Sequence, residues 1–200
     1  MTTTVVGPAG DAFRLPPFVT PWEFAEWTGG KVSAVDPRVE PLLLGASAGI
    51  RRLCGWHIAP VLEQTFTLDG TGSRLLILPT MRLSAVLSLS NAGTTVDDLT
   101  TVDFSEHGMV TWGGGCFTSR YGQIVARIRH GFDVLDVPDV VQIVKQLTAN
   151  ALSSPMGATR EQAGALAVSW ATTAPGVSGG VSLLERDLAL LAPYRRAGAA

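Results

Sequence analysis

The chain has 200 residues, enough for one domain or one domain with an insertion, and a chain of that size buries about 70% of its unfolded surface. Apolar residues make up 46% and charged residues 16%, which excludes disorder over most of the chain and points to surface covered by other subunits. Fifteen Lys and Arg against seventeen Asp and Glu give a net charge of −2, with no basic run beyond two residues, which excludes a strongly basic nucleic-acid binder.

Residues 1–17 are aperiodic, carry glycine and proline, and read as an N-terminal arm. Thr20 before Pro21 is a helix start, a hydroxyl cap followed by proline at the first helical position. Trp22, Phe24, Ala25 and Trp27 follow, and Gly29-Gly30 stops the helix. At about two turns, it holds only by docking its aromatics on something larger. Asp36-Pro37 opens a second helix, with Val39, Leu42 or Leu43, Ala46, Ile50 and Leu53 at helical spacing and an end near Gly55. Gly45 and Gly49 lie four apart on one face. Each costs about 1 kcal/mol of helix propensity against alanine, so a close approach of another backbone is expected there.

From Trp56 the period falls to two. Segments 61–68 and 74–78 flank Asp69-Gly70-Thr71-Gly72 and read as a hairpin. Alternation at 85–90, a turn at Asn91-Ala92-Gly93, alternation at 102–105, a turn at Glu106-His107-Gly108, and strands at 109–112 and 123–130 bring the count to about six. That pattern predicts an antiparallel sandwich or barrel-like subdomain.

Helix returns after Pro138, with Val140, Val144, Leu147 and Ala151 on one face, Val141 and Thr148 beside it, and Ser153-Ser154-Pro155 as its end. Residues 156–181 are small and polar, with one strand expected at 165–171 and a flexible joint at 176–180. Ser182-Leu183-Leu184-Glu185 reads as a capping box. It opens a last helix with Leu184, Leu188 and Leu191 on one stripe, ended by Pro193 and followed by the basic tip Tyr194-Arg195-Arg196. The expected fold class is α+β: a small helical bundle of about four helices, interrupted by an antiparallel β-rich insertion. The expected domains are an arm at 1–17, a helical body from 18–56 plus 134–196, the insertion at 57–133 and a tail at 197–200.

Site chemistry is sparse. His57, His107 and His130 have no histidine or cysteine partner at metal-ligand spacing, and Cys54 with His57 reads as a buried thiol near a polar ring. In Trp112-Gly113-Gly114-Gly115-Cys116, a thiolate after a glycine run invites a nucleophile reading, but nothing nominates a base or an orienting group. The plainer reading is a flexible connection with a buried or half-buried thiol. Asp97-Asp98 and Asp103 read as a solvated turn, because adjacent carboxylates on a strand point to opposite faces. Arg127 and Arg129 share one strand face and read as a salt-bridged or interface face. No phosphate-binding glycine motif is present. No apolar run approaches the ~20 residues that span a bilayer. The opening MTTTVVGPAG lacks the basic and apolar regions of a signal peptide, so both cysteines read as free thiols in a reducing cytosol. No catalytic residue, metal ligand or cofactor is expected.

The order of elements and several strings resemble the head-to-tail adaptor (head–tail connector) proteins of long-tailed bacteriophages. The strings are PWEFAEWTG at 21–29, ASAGIRRLCGWHIAP at 46–60, LDGTGSRLLILP at 68–79, RIRHGFDVLDVPDVVQIV at 127–144 and ERDLALLAPYRR at 185–196. The resemblance implies a non-enzymatic virion protein of the head–tail neck, assembled in the host cytoplasm as a ring of usually twelve copies beneath the portal. It implies the portal above, a stopper or tail terminator protein below, and DNA passing through the channel unread. It also assigns portal engagement to the C-terminal stretch, which here is Leu184, Leu188, Leu191, Tyr194, Arg195 and Arg196. Competing readings are another neck or tail component, such as a stopper or tail terminator, and a Cys-dependent enzyme.

Overall fold

The structure is a computed structural model that describes residues 15–153, 160–163, 166–169, 172–174, 177–178 and 183–196. The chain forms an α+β fold that divides into two compact units. One is helical, built from Pro16–Cys54 and Val137–Arg195; the other is the β-rich stretch Gly55–Asp136.

In the helical unit, α1 (Pro21–Trp27) begins as its sequence dictates. The Thr20 hydroxyl accepts from the Glu23 backbone N–H at 3.2 Å, and the Glu23 carboxylate accepts from the Thr20 N–H at 2.7 Å, a complete capping box. Gly29 and Gly30 end it at positive φ. Helix α2 (Val39–Cys54) starts two residues later than Asp36-Pro37 suggested. The Asp36 carboxylate is occupied by the Arg38 backbone N–H and guanidinium, which makes a turn of residues 36–38 instead of a first helical turn. Val39, Leu43, Ala46 and Ile50 are buried, and Cys54, in place of half-buried Leu53, closes the stripe. Gly45 and Gly49 correct the expectation of a close backbone: among the described residues outside the helix itself, nothing lies within 4 Å of a Cβ built at either.

Helix α3 (Pro138–Ser153) spans the expected residues, with Ile143 joining Val140, Val144, Leu147 and Ala151 inside while Val141 stays half-buried. Helix α4 (Glu185–Leu191) continues as a 3-10 turn through Ala192–Tyr194, so Pro193 narrows the helix before the chain leaves it. Helices α1 and α3 pack on α2, and α4 packs on α3. The entry to α1 is pinned as well. Phe18 and Val19 are buried, the Phe18 N–H donates to the Ser47 hydroxyl at 3.1 Å, and Arg51 donates to the Pro16 carbonyl at 2.7 Å. Residues 1–14 of the expected arm lie outside the described residues.

The β unit holds β1 (Leu62–Leu68), β2 (Leu75–Ile77), β3 (Leu83–Asn91), β4 (Thr94–Thr95), β5 (Val102–Phe104), β6 (Met109–Trp112) and β7 (Ile124–His130). Both sheets are antiparallel, in the orders β1-β7-β3-β4 and β2-β6-β5. The two expected turns exist: Ala92 and Gly93 join β3 to β4 at positive φ, and Gly108 at φ +81° lies between β5 and β6.

The expected 61–68/74–78 hairpin does not form. Strand β1 pairs with β7, β2 pairs with β6, and the segment between β1 and β2 crosses from one sheet to the other. That segment docks on 118–122 by Gly70 N–H to Arg120 O, Gly72 N–H to Thr118 O, and Gly122 N–H to the Asp69 carboxylate. Gly70 is required there, because a Cβ would overlap the Thr118 carbonyl. The two sheets share one core that includes Phe66, Leu76, Leu89, Val110, Phe117 and Ile128.

Among the described residues between α3 and α4, four further strands occur: β8 (Arg160–Ala163) pairs with β9 (Leu166–Ser169), and β10 (Thr172–Ala174) pairs with β11 (Val177–Ser178). The single strand expected at 165–171 contains β9, which is one arm of the first of two short hairpins. Val177–Ser178, inside the expected joint, are paired, and the rest of that joint lies outside the described residues.

Candidate assembly surfaces

The six residues expected to meet a partner do not share one exposed stripe. Leu191 is fully buried in the helical unit, Leu184, Tyr194 and Arg196 are half-buried, and Leu188 and Arg195 are exposed. Helix α4 starts at Glu185, not at a Ser182 cap. Its N-cap position is Leu184, which offers no side-chain acceptor, and the Asp187 carboxylate accepts the Leu184 N–H at 3.0 Å. Ser182 itself lies outside the described residues. Leu190, 50% exposed, lies outside the 184/188/191 stripe and was missed for that reason. The exposed leucines of α4 are thus Leu188 and Leu190, about 160° apart around the helix axis. The tip that follows is tied to α3: Tyr194 donates to the Asp139 carboxylate at 2.9 Å. Burial first, and then that carboxylate, push the phenol up to about 12.

A second surface in the helical unit surrounds α1. Phe24 is its buried anchor, while Trp22 stands 74% exposed. Trp27, tilted on Phe24 at 5.8 Å between ring centroids, forms one wall of a groove of about 520 Å³. The other walls are Lys31, Val32 and Arg38 of the α1–α2 connection and Ala149, Leu152 and Ser153 at the end of α3. No spacing rule flagged this groove, since its walls come from segments over a hundred residues apart.

In the β unit, the outer face of β7 is charged and paired. Glu63 accepts from Arg127 and Arg129, both at 2.8 Å, which holds its carboxyl below the usual range and makes this the salt-bridged face expected from the spacing. Arg82 is likewise bridged to Glu106. On the three-stranded sheet, Ile77 and Met109 are cross-strand partners, both exposed.

Of the remaining chemistry-bearing side chains, His57, His130, Asp98 and Cys54 are held within the fold. His57 and His130 are buried edge-on at 4.6 Å, with His130 Nε2 paired to Gln64 Oε1 at 3.1 Å. Burial, then repulsion from His57, pushes His130 down to about 3, so it is neutral at any ordinary pH. Asp98 accepts from Thr100 and caps a 3-10 turn, as a solvated turn residue does. Both cysteines are free. Cys54 is buried, and that burial pushes its thiol up to about 11. Cys116 is exposed, which corrects the expectation of a buried or half-buried thiol. The Trp112 indole lies against Gly114 and Gly115, and Phe117, not Cys116, turns into the core. Among the described residues, no group of three or more His, Cys, Asp and Glu is placed to hold a metal, and no helix is long and apolar enough to cross a membrane.

No protein-family model matches the chain, and no curated protein matches it significantly. Solved structures do. Over 100% of both chains, the fold is similar to a chain from the neck of the native GTA particle computed with C12 symmetry, with a TM-score of 0.61 and 16% identity. A chain from the neck of the empty GTA particle computed with C6 symmetry gives 0.63 and 16%, again over 100% of both. A chain from the virion of the native gene transfer agent (GTA) particle gives 0.57 and 16%, covering 91% of this chain and 93% of that one. At this identity the shared property is the fold, and it extends end to end.

Proposed function

We propose that the chain is a structural component of the neck of a tailed-phage-like particle, and more specifically a head-to-tail adaptor. In this reading it forms a ring, of twelve copies, beneath the portal and above a stopper or tail terminator protein. The single observation that carries the reading is the full-length likeness to neck chains of a gene transfer agent, one of them from a neck computed with C12 symmetry. The surfaces described above support it. The net charge of −2 and the pairing of Arg127, Arg129, Arg82 and Arg38 with carboxylates suit a channel wall that does not grip passing phosphates. The reading is non-enzymatic, since a ring subunit works by contact alone, and it places the protein in the virion.

The C-terminal stretch remains the proposed portal contact, divided by role. Leu191 holds α4 in its own unit, while Leu188, Leu190 and Arg195 are the groups free to meet the portal. Another level of the neck is the second reading, since the similar chains come from necks without a level being named.

Deleting the gene from its parent particle and imaging the lysate tests both. Packaged heads beside complete, separate tails are expected. Normally joined particles overturn the neck assignment. Complementing the deletion with a Leu188→Asp, Leu190→Asp chain is expected to leave heads without tails even though the protein folds. Restored joining overturns the C-terminal assignment.

A further inference from the structure

We propose that the Trp22 indole of one copy seats in the groove beside Trp27 of the next copy, so that α1 forms a head-to-tail contact between identical chains. The inference rests on the ring reading and names the surface that builds the ring. At about 100° per residue, Trp22 points about 160° away from buried Phe24 and about 140° away from Trp27. One short helix therefore carries a protruding indole on one side and lines a groove with the other. A contact between two different patches of the same chain is the kind that repeats and closes by rotation into a ring.

The two patches are complementary in size, polarity and charge. The groove, about 520 Å³, is within the size range of pockets that receive bulky groups, and Trp27, Val32 and Leu152 give it apolar walls. The indole N–H is a donor with no acceptor function. The last turn of α3 supplies Ala149, Leu152 and Ser153, and the Ser153 hydroxyl, which donates to the Ala149 carbonyl, keeps lone pairs that can accept a donor. With Glu23 held in the capping box, helix α1 presents Glu26, and with Arg38 paired to Asp36 the groove presents Lys31. Glu26 shares the outward face with Trp22, four residues on. The Thr20–Glu23 capping box fixes the first turn, so the indole is presented without first ordering a loose segment.

Mixed cross-linking of the full-length chain tests the contact. In a Cys116→Ser background, one preparation carries Glu26→Cys and the other Ser153→Cys; both positions are exposed. The two are mixed, oxidised and read by non-reducing gel and mass spectrometry. The disulfide joining the two variants is expected to exceed either self-disulfide at least tenfold, and to fall to the self-disulfide level when Trp22→Ala is added. A Glu26→Lys chain, impaired in self-association by sedimentation, is expected to recover with Lys31→Glu. Predominance of the Glu26→Cys self-disulfide indicates a two-fold α1–α1 contact and overturns the proposal. So does an association that Trp22→Ala leaves unchanged, in which case the ring stands on another surface. A chain that gives no cross-link and stays monomeric also overturns it, while imaging of the deletion particle judges the neck reading separately.

Discussion

In the β unit, Gly70, Gly108 and Gly131 sit where an added Cβ would strike a backbone carbonyl or a buried ring, whereas Gly45 and Gly49 of α2 face open space. The first set is demanded by the chain's own packing. The second is not, and costs helix propensity with no return inside the subunit. The aromatics divide within each unit instead of between them. In the β unit, Phe66 and Phe117 are buried while Phe104 and Tyr121 stand exposed, and in the helical unit Phe18 and Phe24 are buried while Trp22 stands exposed. The β unit thus fixes itself by close internal approaches. The helical unit fixes its short helix α1 by a single anchor and a cap, and both units leave apolar side chains uncovered, as parts made to be completed by neighbours do.

The sharpest break of the comparison is Phe24→Ala. One ring anchors α1, a helix too short to persist alone. Its loss is expected to cost about 3–5 kcal/mol in urea unfolding, and to free Trp27, whose ring leans on it. Acid acts on the other unit, where all three histidines lie. His130 is held down to about 3, so below pH 6.5 the unfolded chain takes up a proton that the folded chain refuses. The stabilisation is complete above pH 6.5 and drains away as pH falls towards 3, by a few kcal/mol in all. Hydrogen exchange is expected to show β1 and β7 opening before α2 and α3, and His130→Gln to flatten the dependence. Gly131→Ala comes next. At φ +106°, a Cβ would lie 2.6 Å from the Pro60 carbonyl and overlap His57, so about 1–3 kcal/mol of overpacking is expected, with strain added. Gly49→Ala is its control and is expected to stabilise the chain slightly by thermal melt.

How far the sequence could be read follows from the same contrast. Alternation located β1, β6 and β7 to within a residue, because a strand with one buried face must alternate. It said nothing about partners: β1 finds β7 some sixty residues away, and Asp69-Gly70 looked like a hairpin turn because a docking loop uses the same residues. Caps were legible where side chain and backbone agreed, at Thr20-Pro21. They misled at Ser182, where Asp187 supplies the carboxylate two residues beyond the expected glutamate. The groove beside Trp27 was illegible in principle, being assembled from three separate segments.

The smallest effect on stability separates folding from assembly. Thr20→Ala removes the hydroxyl that accepts the Glu23 N–H but leaves every buried contact of Phe24 in place. The expected loss is about 1 kcal/mol, read as faster exchange of the Glu23 and Phe24 amides with little change in the urea midpoint. A frayed first turn nevertheless lets Trp22 swing, so ordering that the box had already supplied must now be met on binding. The Glu26→Cys to Ser153→Cys cross-link is therefore expected to fall about fivefold, the factor that 1 kcal/mol corresponds to. A cross-link unchanged by Thr20→Ala would mean that the indole does not need its cap, and that the exposed side of α1 is held in place by something other than its own first turn.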